Sequence, residues 1–216
     1  GSLVDVAKGA GLKCEAILTD MNQVLGHSAG HVVEVIETIE YLTNSHKNSR
    51  LEEITNKLAS SLLIQIHGYT KEVALKKINE AVDSGRAAEK FEMMVGELGG
   101  NKKILSEYNS ILKTTKYKGE IFSDTSGFIT EIKTRELGLT LIEMGGGRKQ
   151  IKDSINYSVG FNNVASLNSK VEQGMSLMTV HTNDEESFKS IEKKLKNCFS
   201  IKEQQINNKT IIDVIT

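Results

Sequence analysis

The 216-residue sequence has no proline, no tryptophan and only two cysteines, Cys14 and Cys198, which lie far apart in the chain. Two distant cysteines form neither the short-spaced pairs of a zinc knuckle nor the dense disulfide framework of a small secreted protein, so reduced thiols are expected. The sequence also lacks any apolar run approaching the roughly 20 residues that cross a bilayer. These absences predict a cytoplasmic protein without a membrane partner.

The sequence lacks an excess of either charge. It has 27 lysines and arginines against 28 aspartates and glutamates, a formal net charge of -1, which disfavours a nucleic-acid-binding protein. Its 38% hydrophobic and 25% charged residues are typical of a globular protein that buries one or two cores.

The first half of the sequence is predominantly helical. Residues 12–19 read as one buried strand that ends in Thr-Asp, and the apolar positions of His31–Leu42 recur at helical spacing. The same signal continues over residues 50–66, through Leu51, Ile54, Leu58, Leu62 and Ile66. Thr70 reads as the N-cap of a third helix, and a fourth helix is expected to end before Gly99.

The composition changes near residue 115, where short β-rich segments begin. Residues 116–133 read as a hairpin or a pair of barrel strands, Thr134 as the N-cap of the next helix, and Asp184 as the start of a basic final helix. The sequence therefore predicts a domain boundary that divides the chain into 1–114 and 115–216. The expected fold class is an α/β part, with a partial mixed sheet and helices, followed by a small α+β domain.

Three features that suggest catalytic or metal chemistry have simpler interpretations. The glycines at 145–147 follow a helix and lack the Lys-Ser/Thr of a phosphate loop, which indicates a helix-ending turn. His27 and His31 are four residues apart, but the intervening Ser-Ala-Gly makes a regular helical zinc site unfavourable. His181 has no nucleophilic partner at a recognisable spacing, so a structural or surface role is favoured.

Five segments in the same order resemble the thymidine phosphorylase and pyrimidine nucleoside phosphorylase family. The first is TDMNQVLGHSAGHVVEVIETIEYL from Thr19, and the others are SGRAAEKFEMMVGELGG, DTSGFITEIKTRELGLTLIEMGGGR, INYSVGF and VEQGMSLMTVHTNDE. The NQVL wording is more similar to the bacterial thymidine phosphorylase branch, because Val24 stands where the broader-specificity branch often has proline.

The resemblance implies a cytoplasmic pentosyltransferase that binds phosphate and a pyrimidine deoxyribonucleoside, and a small hammerhead-like C-terminal domain. It also implies a homodimeric parent that contacts its partner largely through a part not present here. The KHSTGGVGD-type phosphate loop and the base-binding segment of the family do not occur in this sequence. We therefore expect the chain to be the C-terminal half of a phosphorylase, with no catalytic or substrate-binding residue of its own and no activity alone.

The resemblance further implies a monovalent cation such as potassium. Matched residue by residue, its ligands would be the backbone carbonyls of Leu25 and Ser28 and the side chain of Glu37, and no other cofactor is expected. The alternative is that Glu37 is a solvated carboxylate on an acidic helix face shared with Glu34 and Glu40. An alternative from another functional class is a non-catalytic interaction or scaffold module derived from the same C-terminal half.

Overall fold

The computed structural model of the protein describes residues 2–216, which form eight α-helices, nine strands and one π-helical turn. The helices are α1 Ser2–Gly9, α2 His31–Leu42, α3 Ser49–His67, α4 Lys71–Asp83, α5 Arg86–Glu97, α6 Ile104–Ile111, α7 Thr134–Leu141 and α8 Glu185–Lys196. The strands are β1 Ala16–Thr19, β2 Ala29–Gly30, β3 Tyr117–Phe122, β4 Gly127–Ile132, β5 Gly160–Asn162, β6 Lys170–Val171, β7 Ser176–Thr182, β8 Phe199–Lys202 and β9 Ile211–Ile215.

Among these helices, none has both the length and the apolar character needed to cross a bilayer.

The strands form three small sheets. Their orders are β1-β9, β2-β5-β7-β3 and β6-β4-β8, and every pairing within the described chain is antiparallel. The helices and small sheets confirm the predicted α/β chain that ends in a small α+β part. The expected mixed sheet is not found among the described residues, because each strand pairs only with antiparallel neighbours. β3 and β4 lie in different sheets, so residues 116–133 form a pair of strands and not a hairpin.

Two pairings join sequence-distant parts of the chain. β1 pairs with β9, near the end of the chain, and β2 pairs with β5 through Ala29–Phe161 and Gly30–Gly160. β1 is consequently half-buried in a two-stranded sheet, which corrects the expectation of a buried strand. The division of the chain at residues 114 and 115 stays a prediction.

The main hydrophobic core lies in the second half of the chain. Sixteen buried residues between Ile121 and Phe199 form one cluster, in which Phe161, Ile129, Met178, Val180 and Leu195 are completely enclosed. Val24 and Ala29, from the segment before α2, pack against this cluster. The core of the β-rich half therefore reaches into the first half of the chain.

Helix α3 forms where its periodicity predicts, but its apolar stripe is not covered. Leu58, Leu62 and Ile66 are 50%, 59% and 69% exposed. The three residues follow one another at intervals of four, which places them on one helix face. This face of α3 contributes to an exposed apolar surface.

The sequence predicts the start of a helix correctly where the capping side chain bonds to an amide in the first turn of that helix. The Thr70 hydroxyl accepts a hydrogen bond from the Val73 amide, and the Asp184 carboxylate accepts one from the Ser187 amide at 2.7 Å. Thr134 is not an N-cap, because its hydroxyl donates instead to the carbonyl of Met21 at 2.8 Å. A long-range contact has replaced the local one.

His181 is a buried polar residue on β7, with 2% of its surface exposed. Its Nε2 lies 2.9 Å from Asn162 Oδ1. Burial, together with the nearby positive charge of Lys118, lowers the pKa of His181 to about 4. The native fold therefore holds this imidazole in its neutral form at neutral pH.

This low pKa predicts a loss of stability in mild acid. An unfolded histidine takes up its proton near pH 6.5, whereas native His181 has a pKa of about 4. The contribution of neutral His181 to the free energy of unfolding is therefore complete above pH 6.5 and decreases as the pH falls toward 4. The loss reaches about 3 kcal/mol. Urea unfolding across this range should give a shallower pH dependence for His181→Gln and an unchanged one for the exposed-site control His67→Gln. Identical slopes for all three proteins would contradict the assignment.

Two glycines provide a matched test of packing. A Cβ on Gly119 would lie 2.3 Å from the ring of Phe188, whereas a Cβ on Gly138, within α7, would meet no atom within 4 Å. Gly119→Ala should destabilise the protein by about 1–3 kcal/mol through overpacking. Gly138→Ala should stabilise it by about 0.5–1 kcal/mol through helix propensity. Chemical denaturation measures both, and a neutral Gly119→Ala would contradict the β3–α8 packing.

Candidate functional site

The connection between β1 and α2, residues 20–30, is the centre of the candidate site and is named here the signature loop. Its beginning is fixed by a buried ion pair, in which Arg50 Nη1 lies 3.6 Å from Asp20 Oδ2 and Arg50 Nη2 donates to the Asp20 carbonyl. Both side chains are at least nine-tenths buried. The other end of the loop enters the β2-β5-β7-β3 sheet before α2 begins.

Glu37 lies on α2 and points its carboxylate into the signature loop. The carboxylate Oε1 accepts the His27 amide at 2.8 Å and lies 3.0 Å from His27 Nδ1, and Oε2 accepts the Ser28 hydroxyl. Glu37 is 7% exposed. It is therefore not the solvated surface carboxylate that the alternative interpretation described.

The electrostatic consequence is a mutually stabilised pair. Burial alone would raise the pKa of Glu37, but the hydrogen bonds from the His27 ring, the Ser28 hydroxyl and the His27 amide together lower it. The hydrogen bond to Glu37 raises the pKa of His27 against the opposing effect of burial. Each group favours the charged form of the other.

Gly26 is the residue that allows this close contact. A Cβ at position 26 would lie 2.0 Å from Glu37 Oε1, so any side chain here would occupy the place of the carboxylate. A buried carboxylate beside a turn of main chain is the hard-oxygen environment that suits a cation. Glu37 thus has the ligand chemistry of the predicted cation site, but its oxygens bond to His27 and Ser28 in this structure, and the cation role of Leu25, Ser28 and Glu37 stays a prediction.

His27 and His31 turn to different partners. His27 contacts Glu37, whereas His31 Nε2 lies 2.9 Å from the Gly146 carbonyl and its ring packs edge-on against Tyr157. Gly146 belongs to the π-helical turn Ile142–Gly146 that follows α7. Residues 2–216 contain no cluster of three or more His, Cys, Asp or Glu side chains arranged to hold a metal ion.

A polar cleft of about 380 Å³ opens beside Glu37. One side is formed by α2, and the other by the end of α6 and strands β3, β5 and β7 with their connections. His27, Glu37, Glu40, Lys118, Asn162 and His181 supply most of its polar groups. His181, for which the sequence favoured a structural or surface role, therefore forms part of a cleft wall.

The sequence did not single out Gln23 and Thr134 as site residues. Gln23 is 9% exposed and its Oε1 accepts the Leu167 amide at 3.0 Å, 144 residues away in the chain. The only available signal was the NQ pair of the first family-like segment, and that pair does not indicate a contact with Leu167. Both residues connect the signature loop to the second half of the chain.

Comparison with known families gives a match within the β-rich half. Residues 128–202, about a third of the chain, match the pyrimidine nucleoside phosphorylase C-terminal domain. The match begins in β4 and ends in β8, and it includes α7, β5, β7 and α8. Over residues 128–202 this match confirms the family resemblance found in the sequence, and it is consistent with a C-terminal fragment of that family.

Proposed function

We propose that the chain is the C-terminal half of a thymidine phosphorylase that acts in pyrimidine nucleoside salvage and catabolism. In this reaction phosphate attacks the anomeric carbon of thymidine, the bond from that carbon to the base nitrogen breaks, and thymine and 2-deoxyribose 1-phosphate form. The observation that carries the proposal is the matched C-terminal domain preceded by TDMNQVLGHSAG, both in the order expected for the family.

The exposed apolar surface supports a chain that packs against further protein. On α3, Leu62 and Ile66 are among the exposed apolar residues, and Leu18 of β1 and Ile212 of β9 are 46% and 60% exposed. Exposed apolar residues that form a contiguous patch usually mark a contact surface. We propose that the remaining part of the phosphorylase covers them.

The chemistry requires groups that the sequence does not contain. Phosphate needs fixed donors around it, and the departing pyrimidine needs a group that stabilises its developing negative charge. The KHSTGGVGD-type loop and the base-binding segment would supply these groups, and neither occurs among the 216 residues. The chain alone is therefore proposed to be inactive, while the longer protein is an active pentosyltransferase and a cytoplasmic homodimer.

Incubation with thymidine and phosphate tests this proposal. The 216-residue chain should release no thymine above a heat-killed control, as measured by chromatography in a preparation free of host phosphorylase. The product of the complete gene should release thymine and should use thymidine faster than uridine. Thymine release by the chain alone would contradict the missing-site argument.

A complete gene product that cleaves neither nucleoside would contradict the phosphorylase proposal. That result would favour the non-catalytic scaffold module instead.

We further propose that the phosphorylase holds a monovalent cation, potassium, at the carbonyls of Leu25 and Ser28 and the carboxylate of Glu37. Carbonyl and carboxylate oxygens are hard ligands that suit such an ion. The burial of Glu37 and the space that Gly26 leaves for its carboxylate support this site. The bound cation would neutralise the carboxylate and hold the loop carbonyls together.

Potassium should stabilise the chain through Glu37. At a concentration ten times its Kd, a ligand of the native state adds about 1.4 kcal/mol to the free energy of unfolding. Denaturation in potassium chloride and in choline chloride of equal ionic strength should show a difference for the wild type and for Glu40→Gln, and none for Glu37→Gln. An equal potassium effect in Glu37→Gln, or no effect in the wild type, would exclude the site from this chain.

A further inference from the structure

The signature loop is attached to the C-terminal domain at both ends and in its middle. Thr134 donates to the Met21 carbonyl at 2.8 Å, the Leu167 amide donates to Gln23 at 3.0 Å, and the Val164 amide donates to the His27 carbonyl at 2.9 Å. Beyond the loop, the Val32 amide donates to the Tyr157 carbonyl at 3.2 Å. The partners that these contacts use in the second half of the chain are Thr134, Tyr157, Val164 and Leu167.

The contact through Gln23 is the most enclosed of these. Gln23 and Leu167 are each 9% exposed, and Leu167 belongs to the main hydrophobic core. If the Gln23 side chain moved away, the buried Leu167 amide would lose its acceptor and its desolvation would no longer be compensated. The Gln23 side chain therefore has no alternative position of similar free energy. Gln23 therefore connects the loop to the part of the molecule with the densest packing.

The anchors lie on both sides of the main chain that carries the predicted cation ligands. Leu25 and Ser28 fall between Gln23 and the β2–β5 pairing at Ala29 and Gly30. Displacement of either anchor would shift this main chain relative to Glu37 on α2, whose carboxylate bonds to His27 and Ser28 of the same segment. The C-terminal domain thus positions the loop, and the loop in turn holds the Glu37 carboxylate.

We propose that the C-terminal domain fixes the conformation of the signature loop, with Gln23 as the positioning residue and Thr134 as a second anchor. The domain then contributes to the proposed phosphorylase without supplying a substrate ligand, by setting the geometry of residues 25–28. This role rests on the proposed function, because the phosphorylase is the protein that the positioned loop would serve. The hydrogen bonds that position the loop form without substrate or cation.

Hydrogen exchange measured by mass spectrometry on the cation-free chain tests the proposal. Gln23→Met removes the acceptor at nearly constant volume, and Thr134→Val removes the donor hydroxyl. Loss of a hydrogen bond of ordinary strength should accelerate exchange of residues 24–30 about five- to tenfold, with no change in β3 and β7. Gln23→Glu keeps an acceptor and should stay within about twofold of the wild type.

Two variants control for the chemical changes themselves. Gln173→Met alters an exposed glutamine, and Thr38→Val removes a hydroxyl that bonds within α2 to the Glu34 carbonyl at 2.9 Å. Both should leave exchange of the loop unchanged. If Gln23→Met does not fold, the half-buried Thr134→Val and the rescue variant Gln23→Glu still decide the question.

Unchanged loop exchange in Gln23→Met and Thr134→Val would overturn the proposal, as would an equal acceleration in β3 and β7. Because the readout requires neither potassium nor thymidine, a failed cation site or an inactive parent leaves this result interpretable. Local acceleration without any potassium effect would support the positioning role and contradict only the cation site.

Discussion

The close approach of two glycines, Gly30 and Gly160, is the constraint on which the site depends. A Cβ on Gly30 would lie 2.9 Å from the Gly160 Cα, and Gly30 has φ of 138°, a conformation that disfavours any side chain. Their contact allows β2 to pair with β5. That pairing brings the start of α2 against the C-terminal sheet. Glu37 follows on the second turn of the helix, where it faces the signature loop.

The sequence predicted the elements whose causes are local. The periodicity of α2 and the caps Thr70 and Asp184 act within one or two helical turns, so they can be recognised from neighbouring residues alone. Contacts across the chain could not be recognised in this way. Thr134 has the composition of a cap but bonds to Met21, 113 residues away, and the pairing of β1 with β9 leaves no signal near either strand.

The residues of the candidate site show the same difference between local signals and contacts across the chain. The family resemblance indicated Glu37, Leu25 and Ser28, and the burial of Glu37 agrees with a role beyond solvation. The pairing of Glu37 with His27 depends on how the loop folds back onto α2, which periodicity does not describe. Gln23 is a polar residue in a polar segment, so its burial becomes evident only when Leu167 is placed beside it. Long-range packing therefore decides which polar residues of the loop have a structural role.

The most direct test of this account is the contact between Gly30 and Gly160 in solution. A nuclear Overhauser spectrum of the isotopically labelled chain should show a cross-peak between the α-protons of the two residues, because the strands that contain them are paired there. Cross-peaks between β3 and β7 serve as the internal reference for a folded domain. If the β3–β7 peaks are present and the Gly30–Gly160 peak is absent, the signature loop is not held by the C-terminal domain and the account is contradicted.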